Sequence, residues 1–300
     1  MSDRPPASVI VPFAGSEDQL RTLLARLAGI ELGPDDEVIV ADNRPGAAGV
    51  RAAGLPGTAA ARSVGPVRIL AAAGVRAPGF ARNRAAAVAR GDWLVFLDAD
   101  TSPSPALLGR YLEPTPRSDV GVLAGGIVDR PGSDSLVAGL SARRGQMSHR
   151  STLNRAGSPY AQTANCAVRR AAFEAVAGFD EWARSGEDAD LCFRLAELGW
   201  RLEERPAAVV EHPTRPTLRA LLAQLALHGA GARWLHRRYP DQFAPPGARQ
   251  LLGRLGHSLV SAAAAALRGD AEGAEAALIE LAGAGAFELG RLLPNRPRRS

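Results

Sequence analysis

Residues 93–100 read Trp-Leu-Val-Phe-Leu-Asp-Ala-Asp, an apolar run ending in two nearby carboxylates, Asp98 and Asp100. A buried strand gains nothing from two ionised acids at its tip. Like charges repel, and burying them is costly unless a cation or a set of donors compensates. Hard divalent cations such as Mg²⁺ or Mn²⁺ take carboxylate oxygens and bridge to phosphates. Ligands of open α/β sheets gather at the carboxyl ends of strands. Taken alone, the pair has a second reading, as turn and helix caps before Pro103 and Pro105, because Asp is a common cap.

Three further sets of residues could do chemistry. Asp42 closes the apolar run Glu37–Ala41 and is followed by Asn43. A carboxylate there can accept hydrogen bonds from a base N–H or a ribose hydroxyl, or it can serve a turn before Pro45. Gly79-Phe80-Ala81-Arg82-Asn83 opens a helical pattern. A helix start favours anions, and the Arg82 guanidinium matches phosphate oxygens. Finally, Gly186 precedes Glu187, Asp188 and Asp190. Acids in a first helical turn are stabilised by the macrodipole. Three of them exceed what capping needs, and a positioned carboxylate can act as a general base.

The elements that must hold these residues alternate in type. Strands are predicted at Ser8–Phe13, Glu37–Ala41, Val67–Ala72, Trp93–Leu97, Val120–Val128 and Glu203–Glu211. Helices are predicted at Glu17–Ala28, Phe80–Ala89, Pro105–Leu112, Arg170–Ala177 and Asp188–Leu198. Such alternation argues for a mostly parallel sheet with helices on both faces. Arg44–Pro66 reads as a long loop, and the polar stretch Gly132–Ser158 as a mobile loop over the site. Gly125-Gly126 ends a strand and would let a ligand approach the backbone. From Thr217 onward the pattern is helical, in three alanine-rich stretches.

Composition is that of a soluble globular protein, 46% hydrophobic and 22% charged. The net charge is +5 and every basic residue is arginine, which suits acidic partners such as nucleotide phosphates. No interleaving of arginine with aromatics supports nucleic-acid binding. Cys166 and Cys192 lack metal or redox spacing and read as small buried thiols. No charged leader with a long apolar run is present, and no stretch reaches the roughly 18 apolar residues that span a bilayer. A cytoplasmic location, or the inner face of the membrane, is therefore expected.

Four segments in order resemble a family-two glycosyltransferase of the GT-A fold: Ser8–Phe13, Glu37–Asn43, Gly79–Asp100, and Gly178–Glu181 with Ser185–Arg194. The resemblance spans roughly residues 7–213. It implies a Rossmann-like α/β domain over residues 1–215, with a mixed, mostly parallel sheet; beyond the resemblance, the residues themselves read as a helical C-terminal appendage at 216–293 and a basic disordered tail at 294–300. It also implies an inverting, metal-dependent transfer from a nucleoside diphosphate sugar, UDP-linked by preference, to a hydroxyl acceptor. That acceptor would belong to cell-envelope polysaccharide or to secondary metabolism. In this reading Pro12, Phe13 and Asp42 border the nucleoside, Phe13 serving equally well as plain core. Arg82 borders the diphosphate. Asp98 and Asp100 bind Mn²⁺ or Mg²⁺, Asp100 as the direct ligand and Asp98 closer to ribose or sugar, and His212 is the third ligand. Asp188 is the base, Glu187 binds the acceptor, and Asp190 orients the loop or pairs with Arg194. The stretch Gln162–Cys166 lines the sugar pocket, and Trp182 is a candidate to stack on an acceptor.

Two other functions use similar parts. A sugar nucleotidyltransferase would carry a glycine- and basic-rich loop after the first strand, which Val11–Asp18 lacks. A catalytically inactive scaffold or binding module would not need Asp98, Asp100, Glu187 and Asp188 together. Arginines cluster at Arg233, Arg237 and Arg238 and again at Arg296, Arg298 and Arg299, and basic amphipathic helices can lie on anionic membranes. The small alanine faces fit close helix packing better. The expectation is packing within the protein or a homodimer, with at most weak peripheral membrane contact.

Overall fold

The computed structural model describes residues 4–45, 61–64, 66–145, 147–155 and 157–297. The chain divides into two compact units. The first comprises Met1–Val128, Met147–His212 and Arg296–Ser300, and the second Asp129–Gln146 and Pro213–Asn295.

The first unit is built on a sheet whose parallel half contains β1 (Ala7–Phe13), β2 (Glu37–Asp42), β4 (Val67–Ala71) and β5 (Trp93–Leu97). The remaining strands are β3 (Ala61–Val64), β6 (Ser102–Pro103), β7 (Val120–Arg130), β8 (Asn165–Arg169) and β9 (Arg201–Pro213). Among the described residues these strands run in the order β3-β4-β2-β1-β5-β8-β7-β9-β6. From β5 outward, β8 pairs antiparallel with both β5 and β7.

Alternation within the strands sorts side chains onto two faces. Val9, Val11, Val38, Val40, Val95 and Leu97 join one apolar cluster. Ile10, Ile39, Leu94 and Phe96 join the other. The first is covered by α1 (Glu17–Leu27) through Leu20, Leu23 and Leu27, and by α3 (Leu107–Leu112). The second is covered by α2 (Pro78–Ala86), α6 (Arg170–Ala175) and α7 (Glu187–Glu197). Helix α1 starts in a capping box of Ser16 and Gln19, which satisfies first-turn N–H groups.

Register brings the chemistry to one edge. Phe13 pairs with Asp42, and β5 runs parallel to β1, so both strands deliver their last residues at the same end. Antiparallel β8 begins there, with Asn165 opposite Leu97.

In the second unit α8 (Leu218–Arg238), α9 (Ala248–Leu267) and α10 (Ala271–Gly290) form the helical part. Helices α8 and α10 approach closely, since a Cβ on Gly290 would lie 2.1 Å from Ala226 O. Leu252, Leu259, Val260 and Leu267 of α9 remain exposed. No helix among the described residues is long and apolar enough to cross a membrane. The described part of the C-terminal segment ends at residue 297, and Asn295 within it is buried.

One sequence expectation is corrected, one strand was not foreseen, and one expectation falls largely outside the described residues. Gly132–Ser158 is not a loop throughout, because it contains α4 (Leu136–Arg143) and α5 (Arg150–Leu153). Ser135 caps α4, and its apolar Leu136, Val137 and Leu140 pack with Leu221, Leu225 and Ile279 of the second unit. Strand β8 went unread because its five residues, the first four of them buried, show no polar alternation. Most of the loop expected at Arg44–Pro66 lies outside the described residues, and its described end supplies β3.

Candidate active site

At the end of β2 the Asp42 side chain is buried and fully engaged. Arg44 Nε donates to Asp42 Oδ1 at 2.9 Å, Arg44 Nη2 donates to Oδ2 at 2.7 Å, and the Arg44 backbone N–H adds 3.1 Å to Oδ1. The same guanidinium lies over the Phe13 ring at 5.4 Å and pairs with Glu17 at 3.0 Å. These partners, Asp42 foremost, raise the Arg44 pKa further above its ordinary value. Phe13 is core, 3% exposed, with Pro12 beside it and half-buried. Asn43 ties the strand end to its neighbour by donating to the Ala72 and Val75 carbonyls. Arg44 was not singled out from the sequence, although its charge two residues after a strand-end acid was a usable signal.

At the end of β5, Asp98 and Asp100 each present about a third of their side chains to solvent, 34% and 35%. Thr101 Oγ1 donates to the Asp98 carbonyl at 2.8 Å, and Arg26 donates to the Asp100 carbonyl at 3.2 Å, fixing this turn. His212, near the end of β9, places Nε2 3.8 Å from Asp100 Oδ1. Among the described residues no group of three or more His, Cys, Asp or Glu side chains is gathered for a metal. Asp100 and His212 nevertheless fit as two ligands of one cation. Donors about 2.1 Å from a metal stand roughly 3 to 4 Å apart, and the remaining positions suit phosphate oxygens and water. Asp98 is committed elsewhere.

Its partner is Arg82, which is 2% exposed. Arg82 Nη2 donates to Asp98 Oδ1 at 2.7 Å and Nη1 donates to Glu187 Oε1 at 2.9 Å. The guanidinium expected to face a diphosphate therefore bridges the strand-end acid to the acidic helix. Asn83, the next residue, accepts from Phe179 N and donates to Phe179 O, both at 3.0 Å. It thereby holds the loop that leads to that helix.

Helix α7 starts after Gly186, whose φ of +88° is a backbone state that glycine adopts without strain. Glu187 is buried, and burial raises its pKa against the opposing pull of Arg82. Asp188 is partly buried. Burial first, and the neighbouring Glu187 second, push its carboxyl up to about 7. A carboxyl near neutral pH is matched to proton abstraction. Asp190, wholly buried, is neutralised by Arg194 at 2.8 Å, and Arg194 also donates to the Val176 and Gly178 carbonyls. Asp190 thus pairs with Arg194, which ties the preceding loop to the helix.

Gly125 and Gly126 do not open onto a ligand. A Cβ on Gly125 would lie 2.2 Å from Tyr111 Oη and 2.3 Å from Asn165 Nδ2, and one on Gly126 would lie 2.6 Å from Pro206 O. The space serves a buried polar network. Tyr111 donates to Asn165 Oδ1 at 2.8 Å, and Asn165 Nδ2 donates to the Gly126 and Ala208 carbonyls. Of the Gln162–Cys166 stretch, Asn165 is therefore committed to the scaffold and Cys166 is a buried free thiol. Cys192 is likewise buried and free. Trp182 is 48% exposed, beside the acidic loop. His149 is buried, which lowers its pKa to about 4.

Sequence and structure comparisons bear on this geometry. The family described as "Glycosyltransferase like family 2" matches residues 5–229. A pre-mycofactocin glycosyltransferase of Mycobacterium tuberculosis (strain CDC 1551 / Oshkosh) is 32% identical over 246 residues, covering 79% of this chain and 49% of the relative. The chain thus spans about half the length of the curated relatives it matches. The mannosyltransferase PcManGT from Pyrobaculum calidifontis, solved with GDP-Man and Mn2+, superposes with a TM-score of 0.58 at 18% identity. The match covers 96% of this chain and 86% of that one. A mycobacterial protein of solved structure gives a TM-score of 0.50 at 19% identity, covering 81% and 76%.

Proposed function

The chain belongs to glycosyltransferase family 2, with the GT-A fold, and we propose that it is an inverting, metal-dependent transferase. It would move a sugar from a nucleoside diphosphate sugar, UDP-linked by preference, to a hydroxyl acceptor. The observation that carries this reading is the buried Arg82 bridge. It ties a strand-end acid beside the Asp100–His212 pair to a helix start whose Asp188 carboxyl is pushed up to about 7.

The acceptor oxygen attacks the anomeric carbon from the face opposite the diphosphate, and its proton passes to Asp188. The bond to the diphosphate oxygen breaks, its electron pair leaves with the nucleoside diphosphate, and the anomeric centre inverts. Glu187, held by Arg82, orients the acceptor, and Asp98, held by the same guanidinium, borders the sugar. Asp42, with Pro12 and Phe13, borders the nucleoside. A divalent cation held by Asp100 and His212 would neutralise charge on the leaving diphosphate. The 32% identity to a pre-mycofactocin glycosyltransferase supports an acceptor of that kind over a polysaccharide.

Titration calorimetry with UDP, GDP and dTDP, each with Mn²⁺ and with EDTA, tests the binding half. Asp100→Ala is expected to abolish the metal-dependent part of nucleotide affinity while the far-UV spectrum stays unchanged. Equal affinity of the unsubstituted protein with Mn²⁺ and with EDTA would refute the metal assignment.

A further inference from the structure

The contacts of Arg44 carry an inference that rests on Asp42 as the nucleoside-binding acid. Arg44 presents a planar, π-bonded group to the Phe13 ring and an edge of N–H donors to the Asp42 carboxylate at 2.7 to 3.1 Å. Those are the two features a nucleobase would offer there: a flat face for an aromatic neighbour and ring N–H groups for a carboxylate. Both acceptor oxygens of Asp42 are taken by the guanidinium. A base cannot reach them while it stays. The third contact of Arg44, to Glu17 Oε2 at 3.0 Å, points outward, because the Glu17 side chain is 53% exposed whereas that of Asp42 is 6% exposed. The guanidinium therefore has an inner anchor and an outer one.

We propose that Arg44 is a displaceable stand-in for the nucleobase: its guanidinium covers Asp42 until a base takes its place, and Glu17 then retains it. Apparent affinity for a ligand scales with the fraction of protein already in the receptive arrangement. An arginine–carboxylate fork is a strong, charge-assisted contact. If it leaves Asp42 uncovered for roughly one molecule in ten, removing it tightens nucleotide binding about tenfold.

The test is calorimetry on the full chain with Mn²⁺, using UDP, GDP and inorganic diphosphate against the unsubstituted protein, Arg44→Ala, Asp42→Ala and the double variant. The expected result is about tenfold tighter nucleotide binding in Arg44→Ala, no gain in Asp42→Ala,Arg44→Ala over Asp42→Ala, and no gain for inorganic diphosphate, which has no base. Weaker or unchanged nucleotide binding in Arg44→Ala overturns the proposal, and so does a gain that inorganic diphosphate shares. If no nucleotide binds any of the folded variants, the nucleoside-diphosphate reading itself fails. Tight binding without response to Arg44→Ala sinks the stand-in alone.

Discussion

Replacing Asp188 by asparagine keeps the side chain's size and removes its basicity, and two independent quantities should respond. The Asp188 carboxyl sits at about 7, raised from 3.8 by burial and by Glu187. A base must be ionised to work, so turnover should climb with pH and level off above that value. Below it the ionised fraction falls about tenfold per unit, leaving about one molecule in a hundred active near pH 5. Loss of a general base costs roughly 10²–10⁴-fold in rate, so Asp188→Asn should lose that much at about pH 8 and lose the acidic limb as well. The second quantity is stability. A carboxyl whose folded pKa is raised holds its proton more tightly when folded. Its contribution is present below the unfolded value and is lost as pH rises through the folded one. The unsubstituted protein therefore loses stability relative to Asp188→Asn between about pH 5 and 7. At about 1.36 kcal/mol per unit the loss is on the order of 3 kcal/mol, an upper bound because Glu187 shares the interaction. Single-turnover kinetics and urea unfolding at about pH 5 and pH 8 measure both. A variant that keeps near-normal transfer with its acidic limb intact, and unfolds in parallel with the unsubstituted protein at both pH values, would refute the assignment.

Other substitutions probe the scaffold. Gly125→Ala places a Cβ 2.2 Å from Tyr111 Oη and 2.3 Å from Asn165 Nδ2, so it should break the buried network and cost about 3 kcal/mol or more, read from the urea midpoint. Arg82→Gln removes the cation between Asp98 and Glu187. Breaking a buried pair costs about 3–5 kcal/mol, and the low end applies because Asp98 is 34% exposed. Arg82 also lowers the Asp188 pKa, so the acidic limb of any surviving activity should move upward in pH. An unchanged limb would separate Arg82 from the base.

The local features of this protein were legible because they are local in origin. An apolar run that ends in Asp98 and Asp100 is a strand delivering acids, and the Ser16–Gln19 spacing starts a helix wherever α1 finally packs. Alternation of strands and helices implied the parallel half of the sheet. Family likeness over four ordered segments implied the GT-A fold. The sequence did not disclose where each polar side chain spends its hydrogen bonds, because those partners come together only when distant strands close the sheet. Arg82 reads as a phosphate ligand until Glu187, 105 positions away, is folded against it. Gly125 reads as a sugar contact until Tyr111 and Asn165 fill the space beside it. Asp42 reads as an open acceptor until Arg44 turns back over Phe13. Helix α4 reads as a loop until Leu221 and Ile279 give its short apolar face something to cover. Types and spacing fixed which groups stand at the edge of the sheet. Long-range packing decided which of them are already paired, because a buried charge must find its counter-charge wherever the fold brings one within reach.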